Sequence, residues 1–129
     1  MYVFHELVWD GYLSGSAAVY SKMGLEELLG RADKLSVSGY AAGMLGTTPT
    51  LTVQVEQSFD QARWMPRNAQ AEINALALST TTDTNFAGQD GDPTARPGAP
   101  YARLRISLAG ANAAGQLRIW VTGTDPDFE

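Results

Sequence analysis

Leu51, Val53 and Val55 alternate with Thr50, Thr52, Gln54 and Glu56. Successive side chains of an extended chain point to opposite faces, so this stretch has one apolar face and one polar face. That is the signature of a half-buried antiparallel strand, and it excludes a helix here. Turn signals bound it on both sides. Gly46-Thr47-Thr48-Pro49 precedes it and Ser58-Phe59-Asp60-Gln61 follows it. Glycine relaxes φ, proline fixes it, and Ser58 and Asp60 can cap their own backbone.

The same texture recurs along the chain. Ala102, Leu104, Ile106 and Leu108 form one apolar face, and Leu117, Ile119 and Val121 form another. The small residues Gly110 to Gly115 read as a turn joining these two strands. Leu35 and Val37 open an earlier strand, weakened by Gly39 and Gly43, and Ile73 to Ser79 fits either a strand or a helical turn. Leu25, Leu28 and Leu29 share a helical face, with Gly30 as the expected stop. The threonine-rich 79–85 suits a strand edge or an extended loop. Residues 88–100 hold three prolines and three glycines and read as a long loop. Residues 1–20 are a candidate N-terminal arm, although Met1 to Trp9 also suits a strand. The pattern predicts an all-β antiparallel β-sandwich or jelly roll, a single domain over 1–129 with at most one short helix.

Charge and composition exclude several roles. The net charge is −5, with Lys22 and Lys34 the only lysines. Nucleic-acid binding needs the opposite balance, so no nucleic-acid partner is expected. There is no cysteine, which removes disulfides, thiolate metal sites and a cysteine nucleophile. No apolar run reaches the roughly 20 residues needed to cross a bilayer. The start, Met1-Tyr2-Val3-Phe4-His5-Glu6, does not read as a signal peptide. No membrane partner is expected.

Catalytic patterns are sparse. His5 is the only histidine, and no Gly-x-Ser-x-Gly elbow accompanies it. Glu26 with Glu27, and Asp125 with Asp127, read as solvated neighbours, not as the paired carboxylates of a cleft. Asp90-Gly91-Asp92 has the oxygen ligands and bend of a calcium loop, but the closing glutamate is missing and Pro93 follows at once. A polar turn accounts for it. The expectation is a protein without catalytic, metal or cofactor-binding residues.

Arg103, Arg105 and Arg118 lie opposite the apolar positions, with Tyr101 and Trp120. A hairpin at Gly110 would merge them into one patch. Arginine beside aromatics suits a protein interface, and a solvated strand face with cross-strand pairs suits it as well. Trp64 fits the edge of a sandwich. Tyr2, Phe4 and Trp9 would anchor a partner if the N-terminal segment is an arm.

The run from Gly46 to Asp60, followed by Trp64, resembles a phrase found in small structural proteins of tailed bacteriophages. There a Gly-Thr-Ser-Pro-Thr turn leads a strand, a Ser-x-Asp turn and a tryptophan. Tyr101-Ala102-Arg103-Leu104-Arg105-Ile106 and Leu117-Arg118-Ile119-Trp120-Val121 are similar to the arginine strand and closing strand of those proteins. The resemblance implies a non-enzymatic virion protein, first of all a capsid decoration protein that stabilises the head. It would work as a homo-oligomer on the major capsid protein or other virion proteins. Tyr2, Phe4, Trp9, Arg103, Arg105, Arg118 and Trp120 would be its contact residues. The alternatives are a tail or head–tail joining component, or a carbohydrate or cell-surface binding module that uses Trp64, Trp120 and the long loop.

Overall fold

The computed structural model describes residues 2–15, 17–32, 34–67, 70–89 and 99–125. The strands are β1 (Tyr2–Ser14), β2 (Val19–Tyr20), β3 (Lys34–Ser58), β4 (Met65–Pro66), β5 (Ile73–Ala77), β6 (Thr84–Gln89) and β7 (Tyr101–Asp125). One short helix, α1 (Glu26–Arg31), buries Leu29. All pairings are antiparallel, and the main path runs β1-β7-β3-β4. The all-β sandwich expected from the sequence is the observed fold.

Two strands of 25 residues each, β3 and β7, make the frame. They pair from Lys34↔Thr124 to Ser58↔Tyr101. Midway, the register shifts three times between Ala42 and Thr50. Positive φ angles cluster at the same place: Gly43, Gly46 and Thr48 in β3, and Gly110 and Asn112 in β7. Both strands therefore bend together through bulges. Gly46 and Gly110 are needed there. Each has φ above +100°, and a Cβ on Gly110 would lie 2.7 Å from the Thr47 carbonyl oxygen. The turns expected at Gly46 and at Gly110 are thus one shared corner inside two continuous strands. The hairpin between the Tyr101 and Gln116 segments does not form, because those segments are consecutive halves of β7.

The bend produces two layers. The first half of β3 and the second half of β7, with β1 and β6, form one. The other halves, with β2, β4 and β5, form the second. The bulge switches which residues of β7 face inward. Ala102, Leu104, Ile106 and Leu108 point in before the corner, and Ala113, Leu117, Ile119 and Val121 after it. Inward residues of both layers form a single core. Ser21 and Lys22 bridge the layers: Ser21 N–H donates to the Leu104 carbonyl of β7 (2.9 Å) and Lys22 N–H to the Val8 carbonyl of β1 (2.8 Å).

Other expectations change in the structure. Residues 2–14 are no arm, because β1 pairs with β7 along its whole length, from Tyr2↔Asp125 to Ser14↔Ala114, with one bulge between Leu7 and Trp9. Gly30 does not stop the helix. It lies inside α1, where a side chain would strike the backbone of Pro100 and Tyr101. Ile73 to Ala77 is a strand, and Gly88 and Gln89 belong to β6. The rest of the long loop through 98, with Asp90-Gly91-Asp92, and the tail beyond Asp125 lie outside the described residues.

Glycine also makes room in the core. Phe4 pairs with Gly123 and Phe86 with Gly39. The Phe4 ring occupies the space that a side chain on Gly123 would fill. At Gly39, which weakens the strand by propensity, a side chain would strike the Arg118 carbonyl of β7 first and crowd the Phe86 ring as well.

The Ser58–Asp60 turn forms as the sequence suggests. Ser58 Oγ accepts from the N–H groups of Asp60 and Gln61, and Asp60 Oδ1 accepts from those of Ala62 and Arg63, both at 2.9 Å. The Arg63 and Ala62 amides hold the Asp60 carboxyl below the ordinary aspartate value. A carboxylate depressed in the folded state stabilises above its unfolded pKa and loses that effect as pH falls through the folded value. Asp60→Asn is therefore expected to lower stability at neutral pH, where Asp60 is charged, and to flatten the acid limb, so that the difference from wild type shrinks below about pH 4. Denaturant titrations at pH 3 and pH 7 measure both.

Candidate binding faces

The arginines and aromatics singled out from the sequence fall into two clusters, one on each layer. Arg103 belongs to the layer of β2 and β4. It lies opposite Glu56 in the ladder, and its Nε donates to Glu56 Oε1 at 2.9 Å. Its guanidinium sits 3.9 Å from the centre of the Tyr20 ring and 4.2 Å from that of Trp64. A planar cation held between two aromatic faces and a carboxylate has little capacity left for a partner. Arg103 is an internal clamp that fastens the β2 and β4 edges to β7. Trp64 is one jaw of it, which places this tryptophan at the sandwich edge as expected. Arg105 is exposed on the same layer.

The second cluster lies on the outer face of the β1-β7-β3 layer. Arg118 stands between Asp10 of β1 and Tyr40 of β3, and Trp120 between Leu7 and Ser38. The His5 and Trp120 rings are parallel within 8°, with centroids 6.4 Å apart. Tyr40 follows on the other side of Trp120 at 6.2 Å. Arg118 lies 5.9 Å from both the Tyr40 and Trp120 ring centres. Asp10 accepts from Arg118 Nη2 and from Gln116 Nε2, each at 3.1 Å. The Asp10 hydrogen bond and charge raise the Arg118 pKa further, so the guanidinium stays charged. His5 Nδ1 is 2.7 Å from Thr122 Oγ1.

A third feature was not visible in the sequence. Where β1 bulges, a cleft of about 550 Å³ opens between Glu6–Asp10 and Tyr20–Met23. Its apolar rim is exposed: Leu7 at 38%, Tyr20 at 41% and Met23 at 87%. Glu6, Asp10 and Lys22 add charge of both signs. The buried Trp9 indole N–H beside it has no hydrogen-bond partner.

The N-terminal aromatics do not form a common contact. Phe4 is 3% exposed and belongs to the core. The proposed contact at Phe4 is therefore corrected: even-numbered residues of β1 before the bulge face inward. Trp9 is half-buried against the core. The side chain of Tyr2 lies outside the described residues. Tyr40, Asp10, Gln116 and Met23 were missed. Strand alternation beyond Leu35 and Val37 would have turned Tyr40 outward, but nothing local marks Met23. Among the described residues no group of three metal-ligating side chains occurs, and no helix is long and apolar enough to cross a membrane.

No protein-family model matches the sequence, and no curated protein does. Solved structures share the fold at low identity. The VP2 subviral particle of infectious bursal disease virus aligns over 98% of this chain and 34% of that chain, at 15% identity and a TM-score of 0.58. The chain thus spans about a third of the VP2 length. Bacillus endospore appendages, which form disulfide-linked pili, align over 95% and 88% at 12% identity with a TM-score of 0.47. The CBM22-1 xylan-binding domain of Paenibacillus barcinonensis Xyn10C aligns over 93% and 95% at 15% identity with a TM-score of 0.48. The likeness is one of fold.

Proposed function

We propose that this protein is a non-enzymatic structural component of a tailed-phage virion, a decoration protein that binds the capsid surface and stabilises the head. The observation that carries this reading is the cleft at the β1 bulge. Leu7, Tyr20 and Met23 leave apolar surface exposed around one concave site, beside an edge strand, with charges at its margin. A concave apolar site rimmed by charge is the chemistry of a protein contact. The resemblance of Gly46 to Trp64 to phage structural proteins supports a virion setting, and VP2, which shares the fold, forms a subviral particle. Each copy need bury only a modest area, because symmetric oligomers on a lattice bind many sites at once.

The direct test is co-sedimentation with empty capsid shells that lack this protein. Wild type is expected to pellet with shells. Met23→Asp changes a side chain that is 87% exposed, so the fold should persist while shell binding weakens by about tenfold or more, the loss of one apolar anchor. Wild type that remains in the supernatant would refute the decoration role. Pelleting with tails and not with heads would move the protein to the tail.

A further inference from the structure

We propose that the outer face of the β1-β7-β3 layer is a binding platform for a neutral saccharide, with Trp120 as its stacking centre. The platform centres on Trp120 and shares only Asp10 with the margin of the cleft around Met23, and the inference does not rest on the virion reading.

The argument starts from the row of rings. His5, Trp120 and Tyr40 come from three adjacent strands, with centroid spacings of 6.4 and 6.2 Å. Strand pairing fixes their order, with His5 exposed and Trp120 and Tyr40 half-buried at the surface. A pyranose offers a matching shape, with one flat face of C–H groups and a rim of hydroxyls. Its C–H face is suited to the electron-rich face of an indole.

Polar groups for the hydroxyl rim stand beside the rings. Asp10, Arg118 and Gln116 form a hydrogen-bonded triad, with both contacts to Asp10 at 3.1 Å. Arg118 and Asp10 remain about two-fifths exposed, at 41% and 37%. They can accept and donate outward while still bonded to each other. The triad is already ordered, so binding costs little side-chain entropy.

Charge balance selects the ligand class. Arg118 and Asp10 are paired with each other, so neither stands as a lone charge for an anion or a cation. Protein hot spots prefer enclosed pockets that exclude water. This face is the outer surface of a sheet, with its rings and polar groups part-exposed, unlike the cleft at the β1 bulge.

The experiment is a glycan array followed by NMR titration with the best-retained neutral oligosaccharide, using the intact chain. Wild type is expected to bind saturably. Among the three tryptophans, the Trp120 indole N–H signal should shift, while those of Trp9 and Trp64 stay in place. Trp120→Ala and Tyr40→Ala should each weaken binding about tenfold or more, the scale of one lost stacking contact. Met23→Asp should bind the sugar as wild type does. The indole readout needs no variant, so it holds even if a substitution disturbs folding. The inference is overturned if no neutral glycan is retained, if titration leaves the Trp120 signal unmoved, or if only anionic glycans bind and salt removes them. Loss of shell binding in Trp120→Ala, with no saccharide bound by wild type, would also overturn it and assign the face to a protein.

Discussion

Phe4→Ala is expected to lower the unfolding free energy by about 3–5 kcal/mol, the range for removing a buried phenylalanine. The ring is 3% exposed. It fills the space over Gly123 and touches the region of Leu35, so it joins β1 to both long strands. Alanine would leave a cavity against two rigid ladders that cannot easily close it. Urea or thermal unfolding followed by circular dichroism measures the loss. An unchanged midpoint would mean that Phe4 lies outside the core, as an arm would place it. A stabilising substitution at Gly123 is not available, because any side chain there meets the same ring.

Arg67→Ala is the second large effect, at about 2–4 kcal/mol. Arg67 is 8% exposed, and its Nη2 donates to the Ala32 carbonyl at 2.6 Å. Ala32 caps the C-terminus of α1. The Arg67 backbone N–H donates to the Val55 carbonyl at 2.8 Å, and Glu72 Oε1 accepts from the Val55 N–H at 3.0 Å. Val55 sits in the gap between the β4 and β5 pairings, where β3 would otherwise have an unpaired edge. The side chain of Arg67 thus ties that sealed gap to the end of the helix. Alanine leaves the Ala32 carbonyl unpaired and removes the packing of the long stem. Arg67→Met should recover part of the packing and none of the hydrogen bond, falling between wild type and alanine. Equal stability of all three in denaturant titration would remove Arg67 from the frame.

These two residues mark what the sequence displayed and what it concealed. Alternation exposed the inward faces of β3 and β7, because a period of two survives any arrangement of the strands. The Ser58–Asp60 turn was legible because its bonds are local. Arg67 was not, since its partner is 35 positions away along the chain. The corner was misread for a different reason. Gly46-Thr47-Thr48-Pro49 and Gly110 to Gly115 carry turn chemistry, and a paired bulge uses the same backbone conformations as a hairpin turn. The distinction lies in what faces the segment: here each glycine tract faces the other, with Thr47 opposite Ala111. That error merged two arginine groups that belong to different layers. Arg118 and Trp120 keep an outward position suited to a ligand, and Arg103 is committed to Tyr20, Trp64 and Glu56.

The order of the sheet has a consequence for how the chain reaches this state. β7 lies between β1 and β3 and pairs with both, yet it follows both of them in the chain. Until it arrives, the two longest apolar surfaces have no common neighbour, and no short hairpin between them can nucleate the barrier crossing. Nearly all the pairing must wait for segments that are far apart in the chain to meet, which is the slow regime for small β proteins. During synthesis β1 and one edge of β3 therefore emerge before their shared partner, and those edges stay open to aggregation until β7 inserts.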